Sequence, residues 1–162
     1  MFRSLIAISL AAMATTALAE APAPAAKGAD EQRPKQLLLV SFDGAHDNRL
    51  WARSRDIAKR ANAKFTYFLS CTTLIPRARA SDYKAPGIKA GRSKIGFAMS
   101  AEEVGNRLDH TWKARGEGHE IASHTCGHFD GKDWSKAEWL TEFDAFDRVL
   151  ANAWKDNGFA DR

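Results

Sequence analysis

Short apolar runs alternate along this chain with amphipathic stretches. Three apolar runs predict strands, at residues 36–42, 64–70 and 119–123. Three stretches with apolar residues every three or four positions predict helices, at residues 47–62, 100–115 and 135–157. The order β-α-β-loop-α-β-α is typical of an α/β fold with a parallel sheet and right-handed crossovers.

The first strand and the loop after the second strand have distinct patterns. Residues 36–42 are a continuous apolar run, which is typical of a strand buried on both faces. Residues 71–96 contain Pro76, Pro86, Gly87 and Gly91, and predict a long irregular loop.

Each predicted helix begins or ends with a recognisable capping residue. Asp47 can cap the first helix, and the spacings Ser100–Glu103 and Ser135–Glu138 match capping boxes. Gly158 predicts the end of the last helix. The apolar face of the first helix comprises Leu50, Trp51, Ile57, Ala58 and Ala61. The apolar face of the last helix comprises Trp139, Leu140, Phe143, Phe146, Val149, Leu150 and Trp154.

The first 19 residues have the features of a Sec-type signal peptide. Arg3 precedes an apolar stretch, Leu5 to Ala14, that is too short to cross a bilayer, and Ala17-Leu18-Ala19 is a small-x-small cleavage site. A retained N-terminal anchor is the alternative. Residues 20–34, rich in Ala and Pro, predict an unstructured linker. We therefore expect an exported protein, periplasmic or secreted, with no transmembrane segment after cleavage and one folded domain at residues 35–162.

Charge and cysteine content narrow the possible partners and cross-links. Charged residues make up 27% of the chain with both signs interspersed, and the net charge is +4, so we expect no nucleic-acid partner. Cys71 and Cys126 would meet an oxidising compartment after export, which permits a disulfide. Buried free thiols are the alternative.

Two histidines follow the third predicted strand. His124 comes directly after that strand and His128 lies four residues further on, a spacing that lets two imidazoles bind one ion from a helix or a tight turn. Gly127 would permit the turn that brings His128 back. Ordinary polar loop histidines are the alternative, since the motif is short. His119 begins the same strand at its other end and His110 is expected on a helix surface, so neither is a candidate.

A carboxylate follows the first predicted strand. Asp43 precedes Gly44 and Ala45, which leave room for a substrate near the backbone. Because the C-terminal ends of parallel strands meet at one edge, Asp43 would approach the histidines and could take a proton from an attacking water. A capping or turn aspartate is the alternative. Asp47 either only caps its helix or supplies a carboxylate to the ion.

These residues resemble two motifs of the polysaccharide deacetylases, the NodB-homology group also called carbohydrate esterase family four. The segment from Gly118 to His128 resembles the second motif, in which a Gly-His-Glu-Ile strand precedes His-Ser/Thr-x-x-His and both histidines bind a divalent metal. The segment from Ser41 to Ala45 is similar to the first motif, Thr-Phe-Asp-Asp-Gly, which supplies the general base and a metal ligand. The resemblance covers about residues 36–162. It implies that His124 and His128 bind a metal, for which we expect zinc, and that Asp43 is the base.

The chain departs from the family pattern at two places. Gly44 stands where the family has its metal-binding Asp, and we expect Asp47, one helical turn onward, to replace it, with His46 as the next candidate. Alternatively, Asp43 turns to the metal and the base is unassigned. The later motifs, Arg-x-Pro-Tyr, Asp-Trp and the Leu-x-His that carries the general acid, do not follow the second motif within these residues. We therefore expect the N-terminal part of a distorted (β/α) barrel of NodB-homology type, truncated after the second motif, with about three βα units.

The resemblance implies a hydrolase that removes N-acetyl groups from a polysaccharide or oligosaccharide of N-acetylglucosamine type. The metal would polarise the acetamide carbonyl and Asp43 would act as base, although the truncated copy need not be active. Two alternatives remain open: a catalytically dead, exported carbohydrate-binding remnant, and a periplasmic metal-binding protein without a substrate.

Overall fold

The computed structural model describes Pro34 and residues 36–159. The predicted signal peptide and the predicted linker, apart from Pro34, lie outside the described residues. A compact unit begins at Leu38 and contains the helices and strands of the described residues. No helix in the described part of the chain is long and apolar enough to cross a bilayer.

Three strands and three α-helices alternate along this unit. Their bounds are β1 Ser41–Phe42, α1 Asn48–Ala61, β2 Thr66–Leu69, α2 Ala101–Gly116, β3 Glu120–Ser123 and α3 Lys136–Asp156. The strands form one parallel sheet in the order β1-β2-β3. The predicted α/β class and parallel sheet are therefore confirmed.

The first strand is much shorter than predicted. Only Ser41 and Phe42 pair with β2, opposite Thr66 and Tyr67. Leu38 and Leu39 are 88% and 92% exposed, so the prediction of a strand buried on both faces is wrong. The physical reason is that β1 has a neighbouring strand on one side only among the described residues. The apolar side chains of such an edge strand contact fewer other residues and remain exposed to water.

Aromatic stacking joins α1 to the sheet. Trp51 of α1 stacks on Tyr67 of β2 with ring centroids 4.1 Å apart, and both side chains are buried. The predicted apolar face of α1 is only partly buried, because Leu50 and Ile57 are exposed. The helix therefore contacts the core along a narrower stripe than its sequence predicts.

The two later helices begin directly after the serines that the sequence identified as their caps. Ser135 and Glu138 form the complete capping box, with each side chain accepting a backbone N–H from the other residue. Ser100 caps α2, but the carboxylate of Glu103 accepts from the backbone of Met99 instead, so the predicted box is only half formed. The stripe predicted for α3 is also incompletely covered, with Leu140 and Phe143 exposed.

The segment predicted as a long loop contains two 3₁₀ helices, Cys71–Leu74 and Arg77–Asp82. All four residues of the first are buried, and Arg79 in the second forms an ion pair with Asp156 of α3. The prediction of an irregular loop is wrong for these residues, because packing against α3 orders them without a strong local signal in the sequence.

Candidate metal centre

Three polar residues follow directly on the three strands. Asp43 follows β1, Ser70 follows β2 and His124 follows β3. Because the strands are parallel, these residues lie at one edge of the sheet. The structure thus brings the predicted Asp43 and His124 to the same edge and adds Ser70.

His124 and His128 lie close enough to share one ion. Their ring centroids are 5.2 Å apart, with the ring planes inclined by 24°. Two imidazoles bound to one zinc at about 2.0–2.1 Å in tetrahedral geometry have centroids about 5 Å apart. His128 is exposed and makes no hydrogen bond among the described residues, so its ring is free to turn toward an ion. Imidazole nitrogens are donors that zinc accepts, and the two histidines would supply two of its four ligands.

Ser70 orients the inner histidine. Its Oγ lies 3.2 Å from Nδ1 of His124, which is half-buried. A polar partner on one ring nitrogen fixes the tautomer and orientation of a metal-binding histidine. Nε2 of His124 is therefore the nitrogen that remains for an ion.

The turn between the histidines has an unusual backbone. Thr125 and His128 have φ angles of 58° and 57°, in the left-handed region that residues with a side chain rarely adopt. Such a conformation costs on the order of 1–3 kcal/mol and persists only where the surroundings fix it. Gly127 does not have a positive φ, so it does not permit the turn through a left-handed conformation. It provides space instead, because a Cβ there would lie 2.6 Å from Oη of Tyr83.

The three central amide groups of the turn all have acceptors. The Thr125 N–H donates to Oγ of Ser123 at 3.1 Å. The Cys126 and Gly127 N–H groups donate to one oxygen of the Glu142 carboxylate, at 3.0 and 3.2 Å. These bonds fix the direction of the chain between the histidines.

The three carbonyl groups of the same residues also have partners. In chain order they accept from the Cys71 N–H, from Oγ1 of Thr72 and from the Lys94 N–H. A disulfide joins Cys71 to Cys126, with both cysteines fully buried. The bridge that the sequence only permitted is therefore formed, and it fastens the turn to the end of β2.

Asp43 shares a cavity with both histidines. The cavity has a volume of about 360 Å³ and is lined by Asp43, Phe68, Ser123, His124, Thr125, His128 and Phe129. The side chain of Asp43 is exposed and makes no hydrogen bond or ion pair among the described residues. A carboxylate without a partner beside two imidazoles is suited to proton transfer or to metal binding.

Asp47 has a different role in the structure. Its Oδ1 accepts from the N–H groups of Arg49 and Leu50, and its Oδ2 pairs with the Arg49 guanidinium at 3.3 Å. These interactions, the guanidinium first, hold the pKa of Asp47 below its usual value. Asp47 lines a separate cavity of about 290 Å³, together with Asp43 and His46. Within the described residues, no group of three His, Cys, Asp or Glu side chains is placed to hold a metal ion.

A buried arginine holds the backbone beside Asp47. Arg107 of α2 donates through Nε to the His46 carbonyl at 2.8 Å and through its guanidinium to the Thr73 carbonyl. Burial lowers the pKa of Arg107, and its ion pair with Glu103 opposes that shift. The segment between β1 and α1 is therefore fixed mainly through main-chain atoms.

The two histidines that the sequence excluded lie outside this centre. His119 precedes β3 at its opposite end, where it is buried and Nδ1 accepts from the Phe65 N–H at 3.1 Å. His110 is half-buried rather than on the surface, because α2 packs on α1 and places its ring against Trp51.

Sequence reasoning missed three residues of the site. Ser70 could have been found by the rule that strand ends meet, since it closes the predicted second strand. Tyr83 lies in a segment predicted as loop, and Glu142 is one of many charged positions on α3, so no local pattern indicates either. Comparisons of the chain with protein-family models, curated proteins and solved structures give no match.

Proposed function

We propose that this protein is a metal-dependent hydrolase that removes N-acetyl groups from a polysaccharide or oligosaccharide of N-acetylglucosamine type. The observation that carries the proposal is the single cavity lined by His124, His128 and Asp43 at the C-terminal edge of a parallel sheet. The reaction class comes from the resemblance of residues 41–45 and 118–128 to the NodB-homology motifs, and the corresponding fold would be part of a distorted (β/α) barrel.

His124 and His128 would hold the metal, and zinc suits their imidazole donors. When bound, the metal supplies a Lewis acid that polarises the acetamide carbonyl. Ser70 keeps the ring of His124 in one orientation through its Nδ1. Asp47 would have to release Arg49 and the start of α1 to become the third ligand, so the proposal does not depend on it.

Asp43 is the proposed general base. Its carboxylate has no competing partner among the described residues, and it faces the cavity of the histidines. It takes a proton from water as the water oxygen attacks the acetamide carbon. The C–N bond then breaks, the proton passes to the departing amine, and acetate is released. Phe68 and Phe129 provide apolar walls for the acetyl methyl group and the sugar ring.

The disulfide supports export of the protein. Stable disulfides form in oxidising compartments, and Cys71 and Cys126 are bridged and fully buried. A periplasmic or secreted location therefore agrees with the predicted signal peptide and with a polysaccharide substrate outside the cytoplasm.

A second candidate is a catalytically inactive protein that binds the same sugars. It is favoured by the role of Asp47 as a helix cap, which leaves Asp43 as the one carboxylate among the described residues that lines the cavity of the two histidines. In that case the cavity binds an N-acetylated oligosaccharide without turnover.

Acetate release from N-acetylated chitooligosaccharides tests the proposal. With added zinc, we expect release by the wild-type protein and a loss of about 10²–10⁴-fold in Asp43→Asn. Asp144→Asn, an exposed aspartate of α3, is the matched control and should match wild type. Saturable oligosaccharide binding without acetate release would favour the second candidate, and no binding at all would contradict both.

A further inference from the structure

Glu142 is a buried carboxylate without a cation. It is 1% exposed and forms no ion pair among the described residues. Taking a carboxylate out of water is costly unless hydrogen bonds replace its hydration. The groups that donate to Glu142 therefore indicate what this residue does.

All of its donors belong to, or contact, the turn between the two histidines. The Cys126 and Gly127 N–H groups donate to Oε1, and the Tyr83 hydroxyl lies 2.9 Å from both carboxylate oxygens. The Tyr83 hydroxyl oxygen also accepts from the Gly127 N–H at 3.0 Å. Glu142 and Tyr83 thus accept hydrogen bonds from two successive backbone N–H groups of the turn, those of Cys126 and Gly127.

The Tyr83 hydroxyl is protonated at neutral pH and donates to Glu142. Burial, followed by the hydrogen bond to Glu142, raises the pKa of Tyr83 far above its usual value. The contact is also tight, because a Cβ on Gly127 would lie within 3 Å of two Tyr83 atoms. No other residue type fits between the turn and the phenol ring.

Core packing alone does not account for this pair. Apolar side chains of the same size would leave the N–H groups of Cys126 and Gly127 buried and unpaired, which is costly. The turn also holds Thr125 and His128 at positive φ, and such backbone needs external support. Glu142 and Tyr83 supply that support from α3 and from the segment before α2.

We propose that Glu142 and Tyr83 are positioning residues that set the separation and orientation of His124 and His128 through the backbone of the turn. The inference rests on the proposed metal site and assigns it an organising element that the sequence motif does not contain. Without the carboxylate, the Cys126 N–H loses its acceptor and the Gly127 N–H keeps only the Tyr83 hydroxyl, so the turn relaxes and the rings no longer meet at one point.

Cobalt(II) binding by the whole chain, followed by visible absorption, tests the inference. Glu142→Leu, which removes both acceptor oxygens, and Tyr83→Phe should each weaken cobalt binding by about 10–100-fold and alter the absorption bands, as loss of a supporting residue does at metal sites. Tyr67→Phe is the matched control, because Tyr67 is also buried and hydrogen-bonded, to Ser54 at 2.8 Å, but lies away from the turn. It should leave the cobalt affinity unchanged.

Amide hydrogen exchange in the metal-free protein gives a second readout that does not require a working metal site. The amides of Cys126 and Gly127 should be protected from exchange in the wild type and should exchange faster in the Glu142 and Tyr83 variants. The amides of α3 should keep their protection. Unchanged exchange at these two amides, or an equal loss of cobalt affinity in Tyr67→Phe, would overturn the inference. If the wild type binds no cobalt, the proposed function fails, and the exchange data still decide whether the pair fixes the turn. If Glu142→Leu does not fold, Tyr83→Phe decides the result.

Discussion

The turn that carries His124 and His128 and the segment that carries Asp43 and Asp47 lie at the same edge of one sheet but use their hydrogen bonds differently. In the turn, the backbone of Thr125, Cys126 and Gly127 is fully paired, and the imidazole of His128 is left without a hydrogen bond. The histidine half is therefore arranged before any ligand arrives.

In the segment that carries Asp43 and Asp47 (the aspartate segment), one carboxylate faces the cavity and the other caps a helix. The backbone is held at Ala45, which donates to the Phe68 carbonyl, and at the His46 carbonyl, which accepts from Arg107. Asp43 is left free, whereas Asp47 is occupied by the start of α1. Only one carboxylate of this half faces the histidines.

This contrast assigns metal binding to the histidine turn and proton transfer to the segment that carries Asp43. The histidine turn has the support that a metal site needs, since its geometry is fixed by a disulfide and by a buried carboxylate. The aspartate segment offers the histidines no second carboxylate, because Gly44 has no side chain and Asp47 caps a helix. Changes to the turn should therefore have larger effects than changes to the segment.

Removal of the disulfide should have the largest effect on the turn. Cys71 and Cys126 are separated by 55 positions, and closing a loop of that size stabilises the folded state by about 4 kcal/mol. We expect the double variant Cys71→Ala and Cys126→Ala to lose free energy of unfolding of that order, measured by urea titration. A loss below about 1 kcal/mol would show that the hydrogen bonds hold the turn without the bridge.

A carboxylate at position 44 should add a third metal ligand to the two histidines. Gly44 has a φ of 57°, and a Cβ there would lie 3.7 Å from Oγ of Ser70, the residue that contacts His124. We expect Gly44→Asp to tighten zinc binding about tenfold, or about 1.4 kcal/mol, by calorimetry. Gly87→Asp places the same residue at a φ of 68° in open space and is the control for backbone strain. Equal zinc affinities in the two variants would show that position 44 does not face the ion.

Substitution of Asp47 should change stability more than metal binding. Asp47→Ala removes a helix cap and should lower the melting temperature by about 2–4 °C, whereas Asp47→Asn keeps a good capping residue. Cobalt affinity should be unchanged in both. A loss of about tenfold in Asp47→Asn would instead show that Asp47 leaves the helix and binds the metal, as the sequence predicts.

The smallest expected effect is the contribution of His119 to the pH dependence of folding stability. His119 lies outside both the histidine turn and the aspartate segment. Burial lowers the pKa of His119 below 6.5, and its neutral Nδ1 accepts from the Phe65 N–H. The unfolded chain therefore binds more protons, so this contribution is complete above pH 6.5 and is lost as the pH falls toward the folded pKa. His119→Asn keeps an acceptor but does not titrate, and its melting temperature should fall less between pH 7.5 and 5.5 in EDTA. A slope equal to that of the wild type would assign the effect to other groups, such as His110, whose pKa burial also lowers.

The order of elements was predictable because each element carries its own local signal. Asp47 and Ser135 indicated the starts of α1 and α3, and the structure begins these helices one residue later. The strands were predicted in the right order and direction. Asp43 and His124 were placed at one edge because parallel strands end on the same side.

The features that the sequence did not predict depend on contacts between residues far apart in the chain. The exposure of Leu38 and Leu39 follows from the absence of a neighbouring strand in the described region, which an apolar run does not reveal. The contact between Tyr83 and Glu142 joins residues 59 positions apart. The sequence singled out Gly127 for the turn but did not show that the phenol ring of Tyr83 takes the space of its missing side chain.

Zinc calorimetry on the wild type and three histidine variants tests the central claim most directly. We expect His124→Ala and His128→Ala each to weaken zinc binding by about 100-fold or more, since each removes one of the two histidine ligands proposed for the ion. His110→Gln is the control, because His110 is half-buried between α1 and α2 and takes no part in the turn. Its zinc affinity should equal that of the wild type. Equal affinities in all three variants would contradict the assignment of His124 and His128 as metal ligands.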